Sequence, residues 1–369
     1  MADVTPRFLW QNFAALSNSS LTVSSEDASF PRRWMLDPMK TMAWRSKIGW
    51  TVVSGFNDKL DFNLAGVKVA TVTAGYYATG AALATAVQTA LAAAYATGTW
   101  TVTYSANKFT ITHSLTAHTL LNLTGANLAT SILTDLGWNA TADSSSATTH
   151  TGDNSVYQSR AYVKVDLAAA TLVTAIAAAG LQSLTSTGKI KIQANATDAW
   201  TSPSYSTTIL AANMYNDCLV VWTSQTYRYW RIVIDDPARS NGYQQIGVAY
   251  LGGYIQMSSP PVRGGVSDDL LHFSRSQVGD SGGIFVDVKT PAKLRTMDFN
   301  VVTDAEKVSL ETMQATIDVR PQFYALDPGN SPATIEYGGV KLGPFRHFYG
   351  GGATSAVWQV QITAQQQLQ

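Results

Sequence analysis

Residues 227–234 read Tyr-Arg-Tyr-Trp-Arg-Ile-Val-Ile, a stretch typical of a β-strand that borders a packed core. On a strand, Tyr227, Tyr229 and Arg231 share one face and Trp230 lies on the other. Aromatic rings interleaved with arginine also occur in proteins that stack on nucleic acids. The chain, however, has 25 basic and 25 acidic residues and no net charge. One face packing into a β-sandwich explains the pattern, and we expect no nucleic-acid partner.

Short apolar runs broken by turn residues lie on both sides of this stretch. They predict strands at 162–166, 189–192, 219–222 and 229–234, with no long helix between 8 and 48 or between 155 and 254. Many short strands joined by polar turns are typical of a β-sandwich. The sequence therefore predicts a mainly β protein.

The charge content changes sharply after residue 50. Residues 51–150 contain seven charged side chains, whereas the fifty residues before them contain ten. Alternating apolar residues predict strands at 60–64, 100–104 and 109–111, with a hairpin turn at 105–108. An Ala-rich helix is expected at 83–94 after Thr79 as its N-cap, and a shorter one at 128–136 that ends at Gly137. Residues 51–150 are thus predicted to be an inserted α+β module.

A second β-rich segment is predicted after the Ser-Ser-Pro-Pro linker at 258–261. Thr303 and Glu306 have the spacing of a capping box, and apolar residues follow them at helical intervals. Strands are expected at 284–288, 294–302, 319–325 and 356–363. We therefore predict a third unit over 262–369 with one helix.

Composition restricts the class of protein. Charged residues make up 14% of the chain, against about 25% in typical globular proteins. A neutral surface rich in Thr and Ser favours a subunit of an assembly. Cys218 is the single cysteine, which excludes an internal disulfide framework. Residues 1–11 lack the pattern of a signal peptide, and the run at 168–181 is too short for a membrane span. We expect synthesis in a cytoplasm and no membrane insertion.

The two β-rich flanks of the insert resemble the halves of a discoidin-type (F5/8C, galactose-binding-like) jelly roll. The likeness is carried by short motifs at 18–25, 30–31, 36–38 and 43–46, and then at 163–167, 191–193 with Trp200, 227–232, 246–248 and 251–252. The resemblance implies a discontinuous β-sandwich formed by 8–50 and 151–254.

The other two units resemble parts of bacteriophage virion proteins. Residues 60–64, 83–95, 100–104 and 107–112 are similar to small virion modules, and 262–369 is similar to the tail-tube-like domains of siphophage distal-tail and minor tail proteins. The resemblance implies a non-enzymatic structural component of a phage tail tip or baseplate. It would form a sixfold or threefold ring with itself, brace other tail proteins or fibres, and reside in the virion after synthesis in the host cytoplasm.

An alternative from another class is an adhesin that binds host-surface polysaccharide. Discoidin-type sandwiches commonly bind glycans through loops at one end, and aromatic rings can stack on sugars. The candidate contacts are Trp34, Trp200 and Tyr205. The same side chains could instead pack against neighbouring subunits.

A remote alternative is a trypsin-like serine protease. Residues 279–283 read Gly-Asp-Ser-Gly-Gly, and 116–118 are similar to the residues that end in the histidine of such enzymes. A Gly-rich turn explains the first motif without catalysis. The five histidines are scattered and read as loop or strand-edge residues, so no metal and no cofactor are predicted; they are His113, His118, His150, His272 and His347.

Overall fold

The computed structural model of the chain describes most of its length. The described residues are 5–16, 18–37, 42–157, 160–181, 184–186, 188–210, 218–236, 243–262, 264–271, 275–278, 284–287, 292–318, 320–326, 335–348 and 357–366.

The described part of the chain is mainly β with several antiparallel sheets, which confirms the predicted fold class. The α-helices are α1 (Gly80–Ala94) and α2 (Asp304–Ile317), and short 3-10 helices lie at Phe13–Ala15, Arg32–Leu36 and Leu128–Thr130. In chain order, the strands are β1 (Arg7–Leu9), β2 (Ser20–Val23), β3 (Trp44–Arg45), β4 (Trp50–Val52), β5 (Lys59–Asn63), β6 (Val67–Thr71), β7 (Gly75–Tyr77), β8 (Trp100–Ser105), β9 (Lys108–His113), β10 (Thr119–Leu120), β11 (Thr149–Thr151), β12 (Ala161–Ala179), β13 (Lys189–Asn195), β14 (Tyr205–Leu210), β15 (Leu219–Asp235), β16 (Gln245–Ile246), β17 (Val248–Gly252), β18 (Tyr254–Gln256), β19 (Val266–Leu271), β20 (Arg275–Val278), β21 (Ile284–Asp287), β22 (Ala292–Val302), β23 (Pro321–Ala325), β24 (Ile335–Leu342), β25 (Arg346–Phe348) and β26 (Val357–Gln366).

A six-stranded sheet forms the middle of the molecule. Its order is β14-β13-β15-β12-β17, and β2 pairs with β12. The strands predicted at 219–222 and 229–234 are one continuous strand, β15, because it pairs with β12 along most of its length. One face of the sheet buries Val163, Ile192 and Trp230 against Met35 and Trp44, which come from the N-terminal segment.

An eight-stranded sheet contains most of the C-terminal strands. Its order is β18-β1-β23-β24-β26-β22-β19, with β25 on β26. The N-terminal strand β1 therefore lies in this sheet, although residue 8 was predicted to open the sandwich. Helix α2, which begins at the predicted capping box, packs Leu310 and Met313 onto one face of the sheet.

The other face of the eight-stranded sheet meets the Ala-rich half of β12. Ala175, Ala177 and Ala179 are fully buried there against Phe323 and Tyr337. Small side chains allow two sheets to approach closely. The weakly polar run that sequence analysis placed at 168–181 thus forms part of a sheet-to-sheet contact.

Residues 50–156 enclose a core of their own around Phe62, Leu83 and Trp100. Helix α1 forms after Thr79 as predicted, and the hairpin β8–β9 turns at Ala106 and Asn107, both with left-handed φ. The predicted helix at 128–136 is wrong, since only a three-residue 3-10 helix and a following turn form there. The division into three domains with the stated boundaries stays a prediction.

Candidate functional site

The face of the six-stranded sheet opposite to its core carries a row of polar side chains. Lys164 on β12 lies directly across from Arg231 on β15, and Arg231 lies across from Gln193 on β13. The inward neighbours of these residues are apolar and fill the sandwich core. Side chains alternate between the two faces of a strand, so Lys164 and Arg231 lie side by side on the face away from the core. The β13–β14 loop covers this face.

The loop between β13 and β14 folds over this row. Asn195 donates to the carbonyl of Ala199 at 2.6 Å and so braces the loop. Asp198 accepts from the indole of Trp200 at 2.7 Å and pairs with the Lys164 ammonium at 2.5 Å. Partial burial opposes ionisation of Asp198, but the hydrogen bonds from Lys164 and Trp200 outweigh it and lower the pKa of this carboxyl. The carboxylate and the ammonium thus form a fixed pair at the edge of the loop.

The opposite wall comes from the segment around β4 and β7. At Gly55, where φ is +67°, a Cβ atom would lie 2.3 Å from Cα of Thr201, so only glycine allows this segment to approach the loop so closely. Between the two walls is a cavity of 210 Å³, which opens to solvent at exposed residues such as Ser54, Ala74 and Asp198. Its lining combines three rings (Tyr76, Tyr162, Trp200) with three charged groups (Lys164, Asp198, Arg231).

Arg231 is the most buried charged residue of this cavity, at 3% exposure. Its Nε and Nη2 donate to Oε1 of Gln193 at 3.0 and 2.6 Å, and the Cζ atom of its guanidinium lies 4.4 Å from the centre of the Trp200 ring. Burial lowers the pKa of Arg231 to about 10. The side chain therefore stays charged at neutral pH.

The structure brings one of the three candidate aromatic residues to this cavity. Trp200 lines it, although the ring is only 8% exposed. Tyr205 packs on the core side of the sheet, 6.0 Å from the ring of Trp230. Trp34 lies in a 3-10 helix against Phe30. Sugar contact by each of the three residues stays a prediction.

From the sequence, packing of one strand face explained the pattern around Arg231, and no ligand was assigned to this residue. It also placed Tyr227 on the same face as Arg231, which is wrong, because Tyr227 packs against the sandwich core beside Trp230. The pairing of β12 with β15 shifts between Asp166 and Thr171, and this bulge breaks the alternation. Only knowledge of the loop that covers Arg231 could have identified it as a cavity residue.

A second cavity, of 590 Å³, lies beside a buried ion network. The Arg160 guanidinium contacts Asp135 from the insert and Asp235 from β15, with Nε 3.1 Å from Oδ1 of Asp235. Asn57 donates to Asp135 at 2.7 Å, and the ammonium of Lys189 reaches Asp235 at 3.2 Å. Burial raises the pKa of Asp135 to about 6 despite the adjacent Arg160. This network links the insert to the sandwich.

Three of the histidines lie together inside the insert, although they were expected to be scattered: His113 ends β9, His118 lies outside the named strands, and His150 lies on the edge strand β11. His113 and His118 are 1% exposed and His150 is 7% exposed. The ring centres of His118 and His150 are 4.5 Å apart, and His118 and Trp100 are 4.9 Å apart. Pairing of β11 with β9 produces this cluster, because it returns His150 to the strand that ends at His113.

Among the described residues, no side chain or backbone group forms a hydrogen bond with either ring nitrogen of His118, the histidine of the protease alternative. No described carboxylate therefore orients it. The Gly-Asp-Ser-Gly-Gly motif at 279–283 lies outside the described residues. The absence of enzymatic activity stays a prediction.

The described residues contain no group of three or more His, Cys, Asp or Glu side chains arranged to hold a metal ion. None of their helices combines the length and the apolar character that crossing a membrane requires.

Comparison with known proteins gave weak similarities. No protein-family model matches the chain, and no curated protein matches it significantly. Among solved structures, the GH29 fucosidase of Ruminococcus gnavus in complex with fucose is similar over 67% of this chain and 28% of its own, at 8% identity and a TM-score of 0.32. A truncated AlyQ with CBM32 and alginate lyase domains is similar over 81% of this chain and 49% of its own, at 10% identity and a TM-score of 0.28. The chain thus spans less than a third of the fucosidase, and likenesses of this degree assign it no activity.

Proposed function

We propose that this chain binds carbohydrate in the cavity between the β13–β14 loop and the segment around β4 and β7. The observation that carries the proposal is the convergence of three aromatic rings and three charged side chains on one open cavity of 210 Å³. Sugars present apolar C–H faces and hydroxyl groups together. Aromatic rings contact the former, and charged groups form hydrogen bonds with the latter.

The volume of the cavity fits a single sugar residue better than a larger ligand. Pockets for drug-sized molecules span roughly 300–1,000 Å³, so this cavity suits a single sugar residue of a longer glycan. The remaining residues of that glycan would extend past the exposed rim.

A glycan array probed with the purified chain, followed by calorimetric titration of the best ligand, tests the proposal. We expect Trp200→Ala to weaken binding by about tenfold or more, because truncation of a buried aromatic contact typically costs that much affinity. Trp222→Ala is the matched control: it removes the same type of side chain, which packs against Tyr254 and does not line the cavity, and we expect the affinity of this variant to stay within about twofold. An array without any bound glycan, or equal binding by Trp200→Ala and the unsubstituted chain, would contradict carbohydrate binding here.

Assembly into a phage tail-tip ring stays a separate prediction, supported by the sequence resemblance alone. Light scattering and negative-stain imaging of the purified chain at several concentrations test it. Rings of three or six copies are the expected result, since closed rings follow the symmetry of the tail. A monomer at every concentration would count against a ring of this chain alone.

A further inference from the structure

Arg231 differs from the other two arginines that are buried in the described part of the chain. Arg160 lies between two aspartates, and Arg295 pairs with Asp268 at 2.6 Å. Arg231 instead donates to the neutral amide oxygen of Gln193, and among the described residues no carboxylate lies within ion-pair distance of it. Its charge is therefore buried without an ion-pair partner among the described residues, and its attraction to the Asp198 carboxylate acts without a direct contact.

The charges of the cavity compensate this guanidinium only in part, because the Asp198 carboxylate that attracts it is paired with Lys164. The lining contains two cations and one anion, and the anion, Asp198, pairs with Lys164 at 2.5 Å. A buried charge without a counter-charge is costly, and an anion that enters the cavity would offset that cost. A planar guanidinium is well suited to a carboxylate, because it can offer two parallel N–H groups to the two oxygens. In Arg231 the N–H of Nε and one N–H of Nη2 donate to Gln193, which leaves the Nη1 side of the guanidinium for the carboxylate.

We propose that the sugar bound in this cavity carries a carboxylate, and that this carboxylate pairs with Arg231. The ring of the sugar would lie beside Trp200, Tyr76 and Tyr162, which line the same space. This inference rests on the proposed carbohydrate binding and adds the chemical class of the sugar, a hexuronate type of residue. The aromatic lining favours a sugar over a small inorganic anion, which gains nothing from ring contacts.

Calorimetric titration of the full chain with disaccharides of glucuronate, galacturonate and mannuronate tests this assignment. Each is compared with its carboxyl-reduced counterpart, which differs only in the acidic group. We expect at least one acidic sugar to bind about tenfold or more tightly than its reduced form. In Arg231→Met this preference should fall below about twofold, while binding of the reduced sugar changes little.

Arg228→Met is the matched control, because it removes the same charge from the same strand. Arg228 pairs with Asp166 and does not line the cavity, so the preference for the acidic sugar should persist. Arg231→Gln repeats the test with a polar side chain, and thermal unfolding of each variant verifies that it is folded.

The outcomes separate the two proposals. Equal affinity for acidic and reduced sugars would overturn the carboxylate assignment while carbohydrate binding stands. Failure of every acidic and reduced sugar to bind would overturn the carboxylate assignment, and only a glycan array that also shows no bound glycan would contradict both proposals. A Glu-rich peptide that binds as tightly as the best acidic sugar would show that the carboxylate comes from protein rather than from a glycan.

Discussion

Replacing Arg160 by Met is expected to lower the free energy of unfolding by about 3–5 kcal/mol, the usual cost of removing one partner from a buried ion pair. Arg160 is 7% exposed and lies between Asp135 and Asp235, which are 1% and 3% exposed. Without the guanidinium, the buried carboxylates of Asp135 and Asp235 lose the positive charge that lies between them. Urea denaturation of the purified variant at neutral pH measures the loss.

Lys189→Met is the control for this substitution. Lys189 contacts the same Asp235 carboxylate, but its side chain is 44% exposed, and a solvent-screened pair of this kind contributes at most about 1 kcal/mol. The deficit of Arg160→Met should also shrink as the pH falls, because protonation of the stranded carboxylates removes their buried charge. A loss of stability no larger than that of Lys189→Met would refute the view that Arg160 anchors the insert to the sandwich.

The second large effect is a loss of stability in mild acid caused by His118. Burial, followed by the neighbouring His150 and His113, lowers the pKa of His118 to about 4 from 6.5. The unfolded chain therefore binds a proton at a higher pH than the folded chain does. Above pH 6.5 the titration of His118 leaves the free energy of unfolding unchanged. As the pH falls from 6.5 toward 4, it lowers that free energy by up to about 3 kcal/mol.

Comparison with His118→Leu isolates this effect. Asp135 titrates in the same range with the opposite sign, since its raised pKa makes the folded chain take up a proton as the pH falls through about 6. That contribution is common to both proteins and cancels in the difference. We expect His118→Leu to lose less stability than the unsubstituted chain between pH 7 and pH 4, measured by urea denaturation at each pH. Parallel pH profiles for the two proteins would show that His118 does not titrate as the buried cluster requires.

Local features of the sequence were predicted well because neighbouring residues decide them. Alternation at 60–64 and 109–111 predicted β5 and β9, and the turn at 105–108 predicted the β8–β9 hairpin. Thr79 and the Thr303–Glu306 capping box predicted the starts of both helices, since each cap bonds to a backbone group within three residues. The helix expected at 128–136 failed because its apolar residues pack into the insert core from a turn.

Sequence patterns alone were enough to predict a mainly β chain, the course of most strands, and the starts of the two α-helices in the described part of the chain. Three features came from tertiary contacts: Arg231 faces a cavity with Lys164 and Trp200, Arg160 contacts both Asp135 and Asp235, and three histidines lie together. The physical reason is that periodicity reports contacts between residues a few positions apart, whereas strand pairing joins residues tens to hundreds of positions apart. The pairing of β12, β15 and β13 places Lys164, Arg231 and Gln193 side by side, and no local pattern in the chain specifies that register.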